Sequence, residues 1–465
     1  MKSHDMINRD ICLLLVLCMI SLFTIFGSCS GGGGNGGSAP TGPGSIPGTG
    51  SGAAYYVAST GNDDNPGTEA QPWRTIQKAA DALMPGDTVY IRAGTYHERV
   101  IPRNSGGPGS EITYAASPGE TATIDGDGIV LPDDLAGLFE VAGRSYIRIA
   151  GLRVINAGPN DDNAGIMVLD SSNIIVENNS TYNTNSSGIG VWGSNNVIVD
   201  GNRVDEAGGG GWQECISVAG TDTFEVRNNE VLNCHKEGIC IKDGSSNGQV
   251  YRNHVHHIRR VGIYVDAWDK HTHDIDVFQN IAFDSIESSG FTVASEQGGL
   301  LSRIRLENNI AYHNHTYGIE ISRCCSASHP MDSIVIVNNT LYENGIDWGG
   351  GVIADNAQAQ NVVIRNNGCS QNLTFQIAVA ADVPAANVSV DHNLIDGFRG
   401  YEDEVYGDDY VEGDPLFVDP TAGDFHLQPS SPSVDAGSAA DAAAEDFDGF
   451  PRPQGGGYDI GAFER

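Results

Sequence analysis

Lys242, Asp266, Glu237 and Tyr264 are residue types that move protons, and they fall at or beside corresponding places in short segments that recur along the chain. A positioned lysine, tyrosine or carboxyl serves as general acid or base when its pKa suits the task. Glu214, Glu237, Asp243 and Asp266 supply oxygen ligands of the kind calcium takes. Trp192, Trp212 and Trp268 offer flat faces on which sugar rings stack, with Asp269, Lys270 and Glu320 as polar partners for a substrate. Two chemistries fit this set. The first is β-elimination on a uronic-acid polymer, with Lys242 as base and calcium neutralising the carboxylate beside the departing proton. Nearby carboxylates raise the pKa of a lysine and make it a poorer base, so this reading needs the metal. The second is glycoside hydrolysis by paired carboxyls, Glu214 with Glu237 or Asp243 with Asp266, with Lys242 orienting Asp266. A non-catalytic carbohydrate-binding or adhesion solenoid is the third class of function. The plain alternatives are a surface ion pair between Lys242 and Asp266, and turn caps for Glu214 and Glu237. Asp63 and Asp64 lie in a Gly/Pro turn and read as structural. His254, His256 and His257, with His271 and His273, suggest a transition-metal cluster as one reading, and solvent-facing turns as the favoured one.

These residues must be placed by something periodic. From Gly165 to Asn393 one pattern repeats: Gly188-Ile-Gly-Val-Trp192, Cys215-Ile-Ser-Val-Ala219, Gly238-Ile-Cys-Ile-Lys242, Gly262-Ile-Tyr-Val-Asp266, Gly290-Phe-Thr-Val-Ala294 and Gly318-Ile-Glu-Ile-Ser322. The second and fourth places are apolar and the third and fifth vary, which is strand alternation. A second short strand follows each, as in Val197-Ile-Val199 and Ile275-Asp-Val277, and then an Asn, as at Asn202, Asn228-Asn229, Asn253 and Asn280. Asn tolerates a left-handed corner and can bond to its equivalent on the next turn, so the column reads as structural. A strand pair and a corner every two to three dozen residues is one turn of a parallel β-helix. The expected fold is therefore all-β, a right-handed parallel β-helix, with a short N-terminal capping helix over the helically spaced Ile76, Ala79, Ala80 and Leu83. On such a solenoid Lys242 and Asp266 become neighbours on adjacent coils.

The 465 residues hold 25 Lys plus Arg and 60 Asp plus Glu, a formal charge of -35. That balance argues against a nucleic-acid partner, which needs basic patches. Residues 1–29 read as a lipoprotein signal peptide, with an apolar run Ile11 to Phe26 leading to Phe26-Gly-Ser-Cys29 and Cys29 as the lipidation site. Residues 30–52 read as a Gly/Ser/Pro-rich tether, 53–398 as the β-helix with its cap, and 399–465 as a C-terminal tail packing on or extending it. The expectation is an exported monomer, held by its lipid at the outer membrane or cell surface of a bacterium. Six cysteines remain beyond Cys29 (Cys215, Cys234, Cys240, Cys324, Cys325 and Cys369), with no zinc-like spacing and no pairing that sequence fixes.

The opening Tyr55-Tyr-Val-Ala-Ser-Thr-Gly-Asn62, with Pro85-Gly-Asp-Thr-Val89 and Gly94-Thr-Tyr96, resembles the pectate-lyase-type right-handed β-helix superfamily. That resemblance implies polysaccharide lyases, glycoside hydrolases and uronan epimerases as the reaction classes. It implies calcium with a Lys base in some lyase families, and so Lys242 as that base. The Arg-x-Pro-x-x-Arg pattern of the commonest pectate lyases is missing. Alginate-lyase-like relatives pair the Lys with an Arg one coil on, where this chain has Asp266. The polymer, the cleavage mode and the choice among reactions stay open at this level.

Overall fold

The computed structural model describes residues 52–324 and 327–465. The expected signal peptide, Cys29 and nearly all of the tether lie outside the described residues.

Alternating apolar side chains fold the chain into strands whose inner faces meet in one continuous core, from Val57 to Ile377. Three parallel sheets wrap that core: two of 13 strands and one of 10. Successive strands of one sheet come from successive coils, a solenoid of right-handed turns. The recurrent Gly-Ile-x-Val-x segments form the third sheet. Its register runs Gly190↔Ser217, Ser217↔Cys240, Cys240↔Tyr264, Tyr264↔Thr292 and Thr292↔Glu320. The column deduced by aligning repeats is thus a physical column of adjacent Cα atoms.

The corner between the first and second sheets is built from Asn pairs with two distinct roles. The first member turns the chain at positive φ, as at Asn178, Asn228, Asn308, Asn338 and Asn366. The second is buried and forms a ladder. Asn202 Nδ2 donates to Asn229 Oδ1 (3.0 Å), Asn229 to Asn253 (2.9 Å), Asn253 to Asn280 (3.0 Å) and Asn280 to Asn309 (3.0 Å). Each rung also donates to a backbone carbonyl, as Asn253 does to Val226 (2.8 Å), and accepts a backbone N–H from the coil before.

Both ends of the solenoid are closed by irregular chain. At the N-terminal end the outer edge of Ala54–Val57 is taken by residues 67–73: Tyr56 N donates to Gly67 O, and Ala58 N to Trp73 O. The helix Ile76–Ala82 buries Ile76, Ala79 and Ala80 over the open core, with Thr75 as its N-cap. Asp63 holds the entry to that helix by accepting from Arg74 N and Thr75 N, a structural task. At the other end residues 403–411 pair with the last coil on all three sheets, through Val405 N to Ile377 O, His392 N to Asp408 O and Val411 N to Asn393 O. The chain beyond packs Phe417, Phe425, Leu427, Ala462 and Phe463 against the exterior of the second sheet around Ile310. Residues 51–465 form one compact unit with no break near 398.

A candidate active site on the third sheet

The outward face of the third sheet is not the open surface that alternation suggests. Ser217, Cys240, Tyr264 and Thr292, which point away from the core, are all buried. Loops that follow or precede the strands cover them, bringing Gln213, Glu214 and Glu296 over the column.

Under that cover lies a network of charges. Lys242 Nζ donates to both oxygens of Glu214, at 2.9 and 2.8 Å, and to Gln213 Oε1 at 3.0 Å. Its ammonium also sits 5.4 Å from the centre of the Trp192 ring, within cation–π range. Ser217 Oγ donates to Glu214 Oε2 (2.6 Å). Lys236 Nζ bonds the Trp212 carbonyl (2.7 Å) and lies 3.4 Å from Glu214 and 3.6 Å from Glu237. Arg260 donates to Glu237 Oε1 (3.1 Å). Glu237 Oε2, also buried, has no hydrogen-bond donor among the described residues. One coil further, the Tyr264 hydroxyl donates to Glu296 (2.7 Å), and the backbone N–H of Glu296 donates to Asp266 (3.1 Å). A disulfide joins Cys215, next to Glu214, to Cys234, just before Lys236 and Glu237.

The charges sort into two states. Burial opposes ionisation of Glu214, but Lys242 and then Lys236 outweigh it and hold that carboxyl down at about 2. Burial likewise works against the Lys242 ammonium, and Glu214 overcomes it, keeping the lysine above its ordinary value. Burial followed by the neighbouring Glu296 pushes Asp266 well above the carboxylate range. Glu296 is also raised, mainly by burial, although the Tyr264 hydrogen bond opposes this. Tyr264 is raised by burial and Glu296. The site therefore holds an ion-paired half around Glu214 and Lys242 and a half around Asp266, Glu296 and Tyr264 in which burial favours the protonated forms.

Several sequence expectations are corrected by this geometry. Lys242 does not pair with Asp266. Backbone register sets their strands side by side, but the lysine's flexible stem turns back to Glu214 and Asp266 accepts from the Glu296 backbone instead. Held as a paired ammonium, Lys242 is a donor and cation rather than a ready base. The four carboxylates expected to hold calcium do not converge. Glu214 is taken by Lys242 and Ser217, Glu237 by Arg260, Asp266 by a backbone N–H and Asp243 by Lys270 at 2.9 Å on the rim. Calcium takes six to eight oxygens, and here three side-chain cations stand among the carboxylates, so the described residues do not fit that ion. Trp212 is exposed at the edge of the cluster, Trp192 and Trp268 are half-buried, and Asp269 stands exposed beside Lys270. Glu320 lies in the same column but has its own partners, Ser289 and Thr292. Burial and then Asp355 raise it to about 7.

Lys236, Arg260, Gln213 and Glu296 escape a reading confined to the strand columns and the residue before them. Gln213, Lys236 and Arg260 occupy the same place, two residues before the strand segment, on three successive coils. One more column would have found them. Glu296 stands two residues beyond its segment, where loops lose the period, and left no such signal.

Known proteins share this architecture. A family described as "Pel9A-like, right handed beta helix region" matches residues 55–252, and one described as "Right handed beta helix region" matches 214–367. The uncharacterized protein YwoF of Bacillus subtilis is 28% identical over 440 residues, covering 83% of this chain and 92% of that one. Pectate lyase PEL9 of Emericella nidulans is 32% identical over 142 residues, 28% of this chain and 33% of that one. Pectate lyase L of Dickeya dadantii is 23% identical over 368 residues, covering 74% and 75%. Among solved structures, that of pectate lyase Pel9A superposes with a TM-score of 0.56 at 19% identity, covering 89% of this chain and 96% of that one.

Proposed function

We propose that the chain is a member of the pectate-lyase-type right-handed parallel β-helix superfamily, a reading supported by the two β-helix family matches, and that it is a carbohydrate-active enzyme cleaving an acidic polysaccharide by β-elimination at the cluster on its third sheet. The relatives named as pectate lyases support the substrate class. The observation that carries the reaction is the row of Lys236, Lys242 and Arg260 set against the buried carboxyls of Glu214 and Glu237. A uronate carboxylate entering this row competes for the cations and is neutralised by them. The acidity of the adjacent C–H then rises. Glu214 loses its hold on Lys242 in the same exchange, its pKa climbs, and it becomes a competent base. The C–H bond breaks toward Glu214, the C=C bond forms, and the glycosidic C–O bond breaks. The leaving oxygen takes a proton from the Asp266–Glu296–Tyr264 group. No step needs a metal.

Incubation with a panel of acidic and neutral polysaccharides tests this. Unsaturated uronate products that persist in a chelator are expected. A panel yielding no unsaturated product overturns the reaction. Lys242→Arg separates cation from base: activity well above that of Lys242→Ala fits a cation, and equal loss in both returns the base role to the lysine.

One observation favours a second reading. Glu214 pushed down and Asp266 pushed up are the opposed carboxyls of a glycoside hydrolase. New reducing ends without unsaturation would establish it.

A further inference from the structure

On its other faces the solenoid carries a group of different chemistry. His254 and His256 are the ends of one strand of the second sheet, so the pleat turns both outward while Val255 is buried between them. Parallel register sets Glu230, one coil earlier, directly against His254. One nitrogen of each imidazole and one oxygen of Glu230 all lie within 4.8 Å of one another. Glu230 Oε1 stands 3.8 Å from His256 Nε2, while the second oxygen is engaged by Arg203.

The back of His256 offers an arrangement in which Nε2 is the free nitrogen. His256 Nδ1 lies 2.7 Å from Nδ1 of His257, and His257 Nε2 lies 3.9 Å from Asp284. A proton on His257 Nε2, facing that carboxylate, leaves His257 Nδ1 as an acceptor. His256 must then donate from its own Nδ1, and its Nε2 lone pair faces Glu230. A carboxylate acting through an imidazole N–H is how metal-ligating histidines are held in the correct tautomer. Phe283 stacks on the His256 ring at 5.0 Å and 17°, which steadies its plane.

We propose that Glu230, His254 and His256 form a binding site for a borderline divalent cation, with Zn2+ as the best match. Two imidazoles and a carboxylate suit that ion, whereas calcium and magnesium prefer oxygen alone. Zinc bonds of about 2.0–2.2 Å bring tetrahedral ligands to roughly 3.5 Å apart, so small side-chain rotations close the gap from 3.8 Å. His254 is exposed, which leaves the outer coordination positions to water or another donor. The ion would cross-link two coils, and its binding would appear as added thermal stability. This site does not depend on the reaction proposed for the third sheet.

The test is titration of the EDTA-stripped chain, free of any polyhistidine tag, with zinc chloride in a calorimeter, alongside a melting curve. One ion per chain and an upward shift in Tm are expected. His256→Ala should weaken binding by more than the roughly 10–100-fold that loss of a ligand's outer-shell partner costs and abolish the shift. His256→Phe keeps the stack on Phe283 while removing the nitrogen, and should fold and melt like the metal-free wild type yet ignore zinc. No uptake by the wild-type chain, or undiminished stoichiometric uptake by the His254→Ala/His256→Ala double variant, overturns the site.

Discussion

Two sets of buried polar side chains run along this solenoid on opposite plans. The Asn ladder at the corner of the first and second sheets repeats one arrangement from coil to coil, and each rung gives the next what it received. The cluster on the third sheet never repeats. Glu214 meets two lysines and a serine, Glu237 meets a lysine and an arginine and keeps one oxygen without a donor, and Asp266 answers to a backbone N–H. A ladder of neutral amides satisfies every donor and acceptor at each coil and so contributes stability. A run of unlike charges, held in unequal protonation states, is poor structural material, because buried charges cost more than they return unless fully paired. The difference is the ground on which the cluster is proposed as the functional region.

That distinction can be broken by experiment. Glu214→Ala should lower kcat/KM by about 10²–10⁴-fold, the range a positioned general base contributes, with the fold retained by circular dichroism. Asn253→Leu should do the reverse. It removes the side-chain donor to the Val226 carbonyl and leaves the Asn229 backbone N–H and one Asn229 Nδ2 hydrogen without their acceptor, at about 2–4 kcal/mol by denaturant unfolding, while the folded fraction keeps its kcat. An inactive but stable Asn253 variant would erase the division. Glu320 sharpens it at intermediate scale. Its folded pKa is raised from 4.5 to about 7, so the folded chain keeps a proton the unfolded chain has released. Stability from this group is full below about pH 4.5 and is lost as pH rises to about 7. Glu320→Gln should flatten that decline in pH-dependent melting. The smallest effect should come from reducing Cys215–Cys234. Loosening the segments that carry Glu214 and Lys236 should cost activity severalfold, with little change in the far-ultraviolet spectrum.

The ladder was legible because periodicity is what sequence records best. Asn202, Asn229, Asn253 and Asn280 occupy one place in their repeats, and stacking them required only the register. The cluster was half legible. Glu214, Glu237, Lys242, Tyr264 and Asp266 were singled out by type and column, and they share one covered patch. Register predicts which Cα atoms are neighbours and says nothing about where a four-carbon side chain turns, so Lys242 was assigned to Asp266 ahead of it rather than to Glu214 behind it. Glu296 and the cover over the column belong to loops, whose paths follow contacts between coils that no repeat encodes. The histidines drew attention as a metal cluster but were assigned to turns, whereas His254 and His256 lie on a strand, and Glu230 went unnoticed because it comes from the coil before.

The closed ends of the solenoid have a consequence for what this chain avoids becoming. Its coils are stacked strands with in-register amide ladders, the same spacing and side-chain order that drive fibre growth when an edge lies bare. Residues 67–73 cover the N-terminal edge of the first sheet, the segment at Val100 that of the third, residues 403–411 the edges of the last coil, and the helix Ile76–Ala82 shuts the apolar bore. They act as stoppers on a template that would otherwise copy itself onto the next molecule. Shortening the chain to its repeats should therefore yield fibrils rather than a smaller enzyme.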